Sequence, residues 1–482
     1  MRAHPDRRPA LLPSLLFRPF AGPLSGLLLL AGCATVPPPS PVAMQAEALP
    51  NMRLPGSFRA GLVPDAKIAD GWLASFKDPA LEALVAEALA YNSDLAIAAT
   101  RVERANAYLT AASGALLPSV GLAGLWSGSA APSGGGLNAL FLNANVELDL
   151  WGRLRYGAAA ARSGVAAAQA DAAFARQSLA AMVARGWFMA IAARQQRELA
   201  REALVRAERL VVLAQQRLRV GVGNEADVAD ARAAAAGYAE RARQAEAALE
   251  QSIRALEQLL GRYPATRLEL APGLPDFPPP VPVGLPSELM ERRPDVVAAR
   301  ERVAVAFNLV GEARAARLPR IRLTAGLSTI SSDLLVLLDR NNPAFGFGAD
   351  LIAPLFQGNA LVAQVAIRSA EQDAATAAWA GTALNAFREV EDALGAEFAL
   401  ADRSVLLAEG LRQAARALEL AEIQYRVGSG DLRGVEQRQL ALYAARSSLL
   451  QVEMERRAQR VNLHLVLGGS FESAATATAD RS

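Results

Sequence analysis

The chain has 482 residues, enough for two to four ordinary globular domains. Apolar residues make up 52% but aromatic ones only 6%, and 50 Lys and Arg balance 48 Asp and Glu to a net charge of +2. That balance gives no case for a nucleic-acid partner, and the single cysteine excludes an intrachain disulfide framework or a multi-cysteine zinc site.

The N-terminal stretch reads as a targeting segment. Arg2, Arg7, Arg8 and Arg18 form a basic region, and Ala21 to Gly32 an apolar one too short to span a bilayer. It ends in Leu30-Ala31-Gly32-Cys33, which resembles the bacterial lipobox. The resemblance implies a signal peptide over 1–32, cleavage before Cys33, and a diacylglycerol thioether and N-acyl chain on that residue. Ala34, rather than Asp, follows, which in the resemblance favours release to the outer membrane. Residues 33–71 are expected to form a lipid-anchored N-terminal tether, of which "ATVPPPSPV" reads as an extended polyproline stretch. No later segment offers a transmembrane helix, so a spanning segment would have to be a β-barrel.

The rest of the chain is a duplication. "RVGVGNEADV" at Arg219 recurs as "RVGSGDLRGV" at Arg426, and Gly261 recurs as Gly468 at the same separation. Upstream, Asp94, Arg101, Val102 and Pro118 correspond to Asp295, Arg302, Val303 and Pro319. The halves cover 72–262 and 286–469. A proline-rich connection, 263–285, joins them, and a tail follows at 470–482.

Each half has the same order of elements. A helix comes first, near 93–116 and 294–317. Two strands follow, at about 118–127 and 138–150 in the first half and about 319–331 and 345–356 in the second. In "LFLNANVELDL", Leu140, Leu142, Ala144, Val146, Leu148 and Leu150 alternate with mostly polar residues. "PRIRLTAGL" and "FGFGADL" alternate in the same way. A soluble antiparallel sheet over a core fits this pattern as well as an outer-membrane barrel does. Four strands cannot close a barrel; three chains would give twelve and leave room for a pore.

Very long helices follow, near 155–219 and 360–427. About 65 residues span roughly 100 Å, beyond an ordinary domain. Leu199, Ala203, Ala207, Leu210, Ala214 and Leu218 trace an 11-residue pattern on the first. Leu407, Leu411, Ala414, Leu418, Ala421 and Tyr425 trace a heptad on the second. Glycine-bearing turns lead to shorter closing helices, near 224–260 and 433–467.

Several motifs together resemble the outer-membrane efflux proteins of the TolC family, in the OprM/NodT-like lipoprotein branch. They are "LLLLAGC", "WLASFKDPALEALVAEALAYNSDL", "ELDLWGRLR", "RRPDVVAAR", "APLFQGN", "REVEDAL" and the paired "RVG" turns. The resemblance implies an α+β, mostly α, homotrimer: a twelve-stranded barrel with four strands per chain, continued by a long periplasmic α-helical barrel. It implies a passive duct served by a periplasmic adaptor and an inner-membrane pump of the RND type, exporting small molecules. A duct for type I protein secretion is the alternative.

It also places the gate and adaptor contacts at the two helical turns. The residues there are Gly221, Gly223, Asn224 and Asp227 in the first, and Gly428, Gly430, Asp431 and Arg433 in the second. Asp230, Glu436 and Gln437 lie close by. Many members carry "LDAQ" after the second turn, where this chain reads "VEQRQ". Asp431 and Arg433 are expected near the constriction, although Asp and Asn at such positions are also ordinary helix caps. No catalytic residue, cofactor-binding loop or metal set is expected: only His4 and His464 are present, and no Walker-type loop, HExxH or GxSxG occurs.

Overall fold

A computed structural model of the chain describes residues 35–59, 70–126, 138–284, 286–331 and 343–472. Cys33 and the signal segment lie outside these residues. Among the described residues the helices are α1 (Pro41–Ala48), α2 (Pro79–Tyr91), α3 (Ser93–Gly114), α4 (Arg153–Arg219), α5 (Glu225–Leu259), α6 (Pro286–Arg292), α7 (Pro294–Ala315), α8 (Ala360–Arg426) and α9 (Leu432–Val466). The strands are β1 (Ser119–Trp126), β2 (Asn138–Leu148), β3 (Arg320–Ser331) and β4 (Pro343–Ile352). Helices α4 and α8 have 67 residues each, and α5 and α9 have 35 each, so the duplication is visible in element lengths. No helix among the described residues is long and apolar enough to cross a membrane.

The chain divides into a strand-bearing unit and a helical unit. In the first, the four strands form one antiparallel sheet in the order β1-β2-β3-β4. Register builds two faces. Leu122, Leu142, Leu327 and Phe345 make one rung across all four strands, and Gly121, Asn143, Gly326 and Gly346 make a rung of the opposite parity. The apolar face is uncovered: Phe347 is 90% exposed, Phe345 75%, and Leu122 and Leu351 69% each. A soluble sheet over a core would bury these residues. A sheet facing lipid would not, so the exposure decides between the two readings left open by the alternation.

The strand ends have local causes. β2 stops at Leu148 rather than near 150, because the Asp149 carboxylate accepts from the Leu154 and Arg155 backbone N–H groups at 3.0 and 2.9 Å and caps α4. β4 ends at Ile352 rather than near 356, where Pro354 has no N–H to offer the ladder.

The helical unit has its largest cores around two tryptophans. Trp187, Phe188 and Ile191 of α4 pack with Phe76, Leu81, Val85, Leu256 and Leu260. Trp379 and Val390 of α8 pack with Val296, Val303 and Leu463. Each fully buried side chain of this size contributes on the order of 1.5–3 kcal/mol. Asp78 caps α2 through the N–H groups of Ala80 and Leu81, and its other oxygen accepts from Trp187 Nε1 at 2.7 Å.

The proline-rich connection is held by α9. Phe277 lies between the guanidinium groups of Arg456 and Arg460, at 4.3 and 4.4 Å. Arg457 Nε donates to the Pro275 carbonyl at 2.7 Å, and Arg460 Nη1 to that of Pro278 at 2.8 Å. An extended proline segment has no internal hydrogen bonds, so these arginines satisfy its carbonyls. Glu453 and Glu397 pair with the arginines from the other side.

The seam on α4 keeps the middle of the 11-residue pattern, Ala203, Ala207, Leu210 and Ala214, and departs from it at both ends. Ala200, Ala203, Ala207 and Ala214 are buried, a heptad spacing, while Leu218 is exposed. Alanine at these positions lets helix backbones approach closely, which the bulkier leucines would prevent. On α8, Leu418 and Tyr425 are buried, and Leu411, Ala414 and Ala421 pack against them, as a heptad requires.

Candidate functional site: the paired helical turns

Both turns are built alike. Helix α4 ends as a Schellman motif: Val222 N–H donates to Arg217 C=O at 3.0 Å and Gly221 N–H to Leu218 C=O at 3.1 Å. Helix α8 repeats it, with Ser429 N–H on Gln424 C=O at 2.9 Å and Gly428 N–H on Tyr425 C=O at 3.2 Å. The motif needs a left-handed residue, and Gly221 and Gly428 supply it at φ 77° and 82°. Gly223 and Gly430 are required by space instead: an added Cβ would stand 3.0 Å from Leu218 N in one turn and from Gln424 Cβ in the other.

The following helices start with side-chain caps. Asn224 Oδ1 accepts from Asp227 N–H at 2.8 Å, and Asp431 Oδ1 from Gly434 N–H at 2.7 Å. Of the eight turn residues singled out in the sequence, six therefore shape the turns themselves. Asp227 gives its backbone N–H to the cap.

Arg433 does something different. Its Nε lies 3.2 Å from Asp230 Oδ2, joining the start of α9 to α5 in the other half of the duplication. A second bond between the halves comes from Arg217, whose guanidinium sits 4.6 Å from the Tyr425 ring centroid and donates to the Tyr425 carbonyl at 3.3 Å. Beneath these polar contacts, Ala214, Val228, Ala231, Leu418, Tyr425, Leu432, Val435 and Leu442 form a buried apolar cluster. Arg217 was not identified from the sequence; an arginine in the last turn of a helix reads as an ordinary dipole partner. In the sequence Tyr425 shows only as a seam position on α8.

Glu436 stands one helical turn beyond Arg433. Its Oε1 is buried with no hydrogen-bond partner among the described residues. Burial, together with Asp230 and Asp227, pushes its carboxyl above the usual range, and Arg433 opposes the shift. Burial likewise raises the Tyr425 hydroxyl, against the pull of Arg217, with Asp227 and Glu436 adding to the rise. Among the described residues, no group of three or more His, Cys, Asp or Glu could hold a metal ion.

An open four-stranded sheet with an uncovered apolar face, in a chain whose long helices end in matched turns, has the features of a membrane-embedded protein that completes its barrel with further copies. The chain belongs to the outer membrane efflux protein family, whose model matches residues 84–262 and 285–469. It is 29% identical over 466 residues to the pyoverdine export outer membrane protein OpmQ of Pseudomonas aeruginosa, covering 93% of this chain and 96% of that protein. It is 28% identical over 463 residues to the cation efflux system protein CusC of Escherichia coli, covering 93% and 98%. The solved outer-membrane channel OprN superposes with a TM-score of 0.79 at 26% identity, covering 88% of this chain and 99% of that one. The fold class is accordingly that of the trimeric outer-membrane channels: mostly helical, with four barrel strands from each chain. The protein is an efflux duct of the outer membrane, and such ducts extend into the periplasm.

Proposed function

We propose that three copies of this chain form the outer-membrane part of a tripartite pump, exporting small toxic molecules delivered by an inner-membrane pump of the RND type through a periplasmic adaptor. The observation that carries this reading is the sheet, apolar and exposed on one face and polar on the other, in a chain of the efflux family. The duct does no chemistry on its cargo. Its gate and adaptor contacts lie at the turns of Gly221–Asp227 and Gly428–Arg433, with Arg433–Asp230 as the latch between them.

Cys33 carries the lipid in this reading. Its support is the tether just beyond it: Val36 N–H donates to Tyr156 Oη at 3.0 Å, beside the turn that follows β2. Val36 and Tyr156 belong to the same strand-bearing unit, which supports an anchor beside the barrel strands. A diacylglycerol and an acyl chain give a stable anchor, since each buried methylene contributes about 0.8 kcal/mol.

Disrupting the gene tests the function. Increased sensitivity to drugs, dyes or detergents is expected, restored by the intact gene. Unchanged susceptibility with loss of a secreted protein would overturn small-molecule efflux in favour of protein secretion.

A further inference from the structure

The polar face of the sheet is uneven along its length. Its middle rungs are small and uncharged. Gly121, Asn143, Gly326 and Gly346 form one, and Ser119, Asn145, Thr324 and Gly348 the next. The following rung, at the end of the sheet that leads into α4 and α8, is ionised: Glu147 is paired in register with Arg322, and Arg322 with Asp350. Arg320 lies two residues before Arg322 on the same face, beside Ile352.

These charges do not cancel. Glu147 is already held by Arg153, whose Nη2 lies 3.0 Å from both carboxylate oxygens. That leaves Arg320 and Arg322 against Asp350. Arg322 and Asp350 are both solvent-exposed. Cross-strand neighbours of opposite sign gain little when wet, so stability alone does not account for ionised residues gathered at one end of an otherwise neutral wall.

We propose that this rung is the charge-selecting belt of the duct, and that Arg322, with Arg320, favours anionic solutes over cations. The inference rests on the sheet being one third of a closed barrel with its polar face inward. Three chains then place three copies each of Arg322 and Asp350 around one level of the pore and three of Arg320 around the next, with positive charge in excess. Charges lining a low-dielectric wall focus their field into the lumen, where potentials of several kT act on passing ions. Salt screens this field over about 10 Å at 0.1 M but about 30 Å at 0.01 M, so the effect is largest in dilute salt.

The test is the reversal potential of the purified full-length protein in a planar bilayer across a gradient of dilute potassium chloride. Arg322→Gln is expected to move the potassium-to-chloride permeability ratio towards potassium by roughly two-fold or more. Asp350→Asn is expected to move it the other way, and Arg322→Lys to leave it in place. Opposite shifts from two neutral substitutions on the same rung cannot arise from a general loss of folding. Channels whose ratio is the same in all variants would overturn the belt and leave the duct reading intact. An unsubstituted protein that forms no channels would overturn both.

Discussion

The Arg433 guanidinium and the Asp230 carboxylate, 3.2 Å apart, join the first turn of α9 to α5, two helices from opposite halves of a duplicated chain. Both side chains are substantially exposed, at 75% and 42%, so the pair contributes no more than about 1 kcal/mol. The gate proposed at these turns calls for a contact of about this strength, weak enough for a partner or cargo to break. Arg433→Ala or Asp230→Asn is expected to raise single-channel conductance, or the frequency of open events, while changing thermal stability by less than about 1 kcal/mol. The double substitution should match the single ones. Additive effects in this cycle would show that the two residues act separately.

Burial of Glu436 sets the sign of a pH dependence at the turns. Its folded carboxyl binds a proton more readily than an unfolded one, chiefly through burial and then through Asp230. Stability should therefore rise as the pH falls from neutral into the range where the buried carboxyl protonates, and level off below the ordinary carboxylate range. Glu436→Gln is expected to be more stable than the parent at pH 7 and equal to it in acid, as measured by thermal unfolding. A variant less stable at pH 7 would mean that Glu436 is held by a partner.

His464 works in the opposite direction. It is 5% exposed, stacked 5.8 Å from the Trp72 ring, and burial followed by the charge of Arg460 lowers its pKa from 6.5 to about 3. The stability it supports is fully present above about pH 6.5 and is lost as the pH falls towards 3, at up to ~1.4 kcal/mol per unit. His464→Gln should flatten this acid limb of the stability curve. An unchanged slope would assign acid sensitivity to other groups.

The turn glycines separate conformation from space. Gly221→Ala and Gly428→Ala, with φ at 77° and 82° and no atom near the added Cβ, should each cost about 1–2 kcal/mol through left-handed strain alone. Gly223→Ala meets Leu218 N at 3.0 Å and has to move the end of α4. It is expected to cost more than Gly221→Ala in urea unfolding and to disturb adaptor binding as well.

Much of this was legible in the sequence, for local reasons. Side chains that alternate along a strand, a glycine that must be left-handed and an Asp that caps a helix all follow from neighbours a few residues away. So the strands around Leu142 and Leu323, the "RVG" turns and the caps at Asn224 and Asp431 could be read directly. The Arg433–Asp230 and Arg217–Tyr425 contacts could not, because each joins residues about two hundred positions apart, and the register of one helix against another leaves no short-range mark. The α4 seam was legible in its middle and wrong at its ends: Ala203, Ala207 and Ala214 are buried with Leu210 packed beside Ala214, but Ala200 rather than Leu199 is buried and Leu218 is exposed. His464 carries no signal in a polar helix until Trp72 is packed on it.

Electrical recording from the purified full-length protein in a planar lipid bilayer most directly tests whether this chain forms a duct. Discrete conductance steps are expected, larger or more frequent in Arg433→Ala. A folded protein that inserts no conducting unit, with or without that substitution, would contradict the channel.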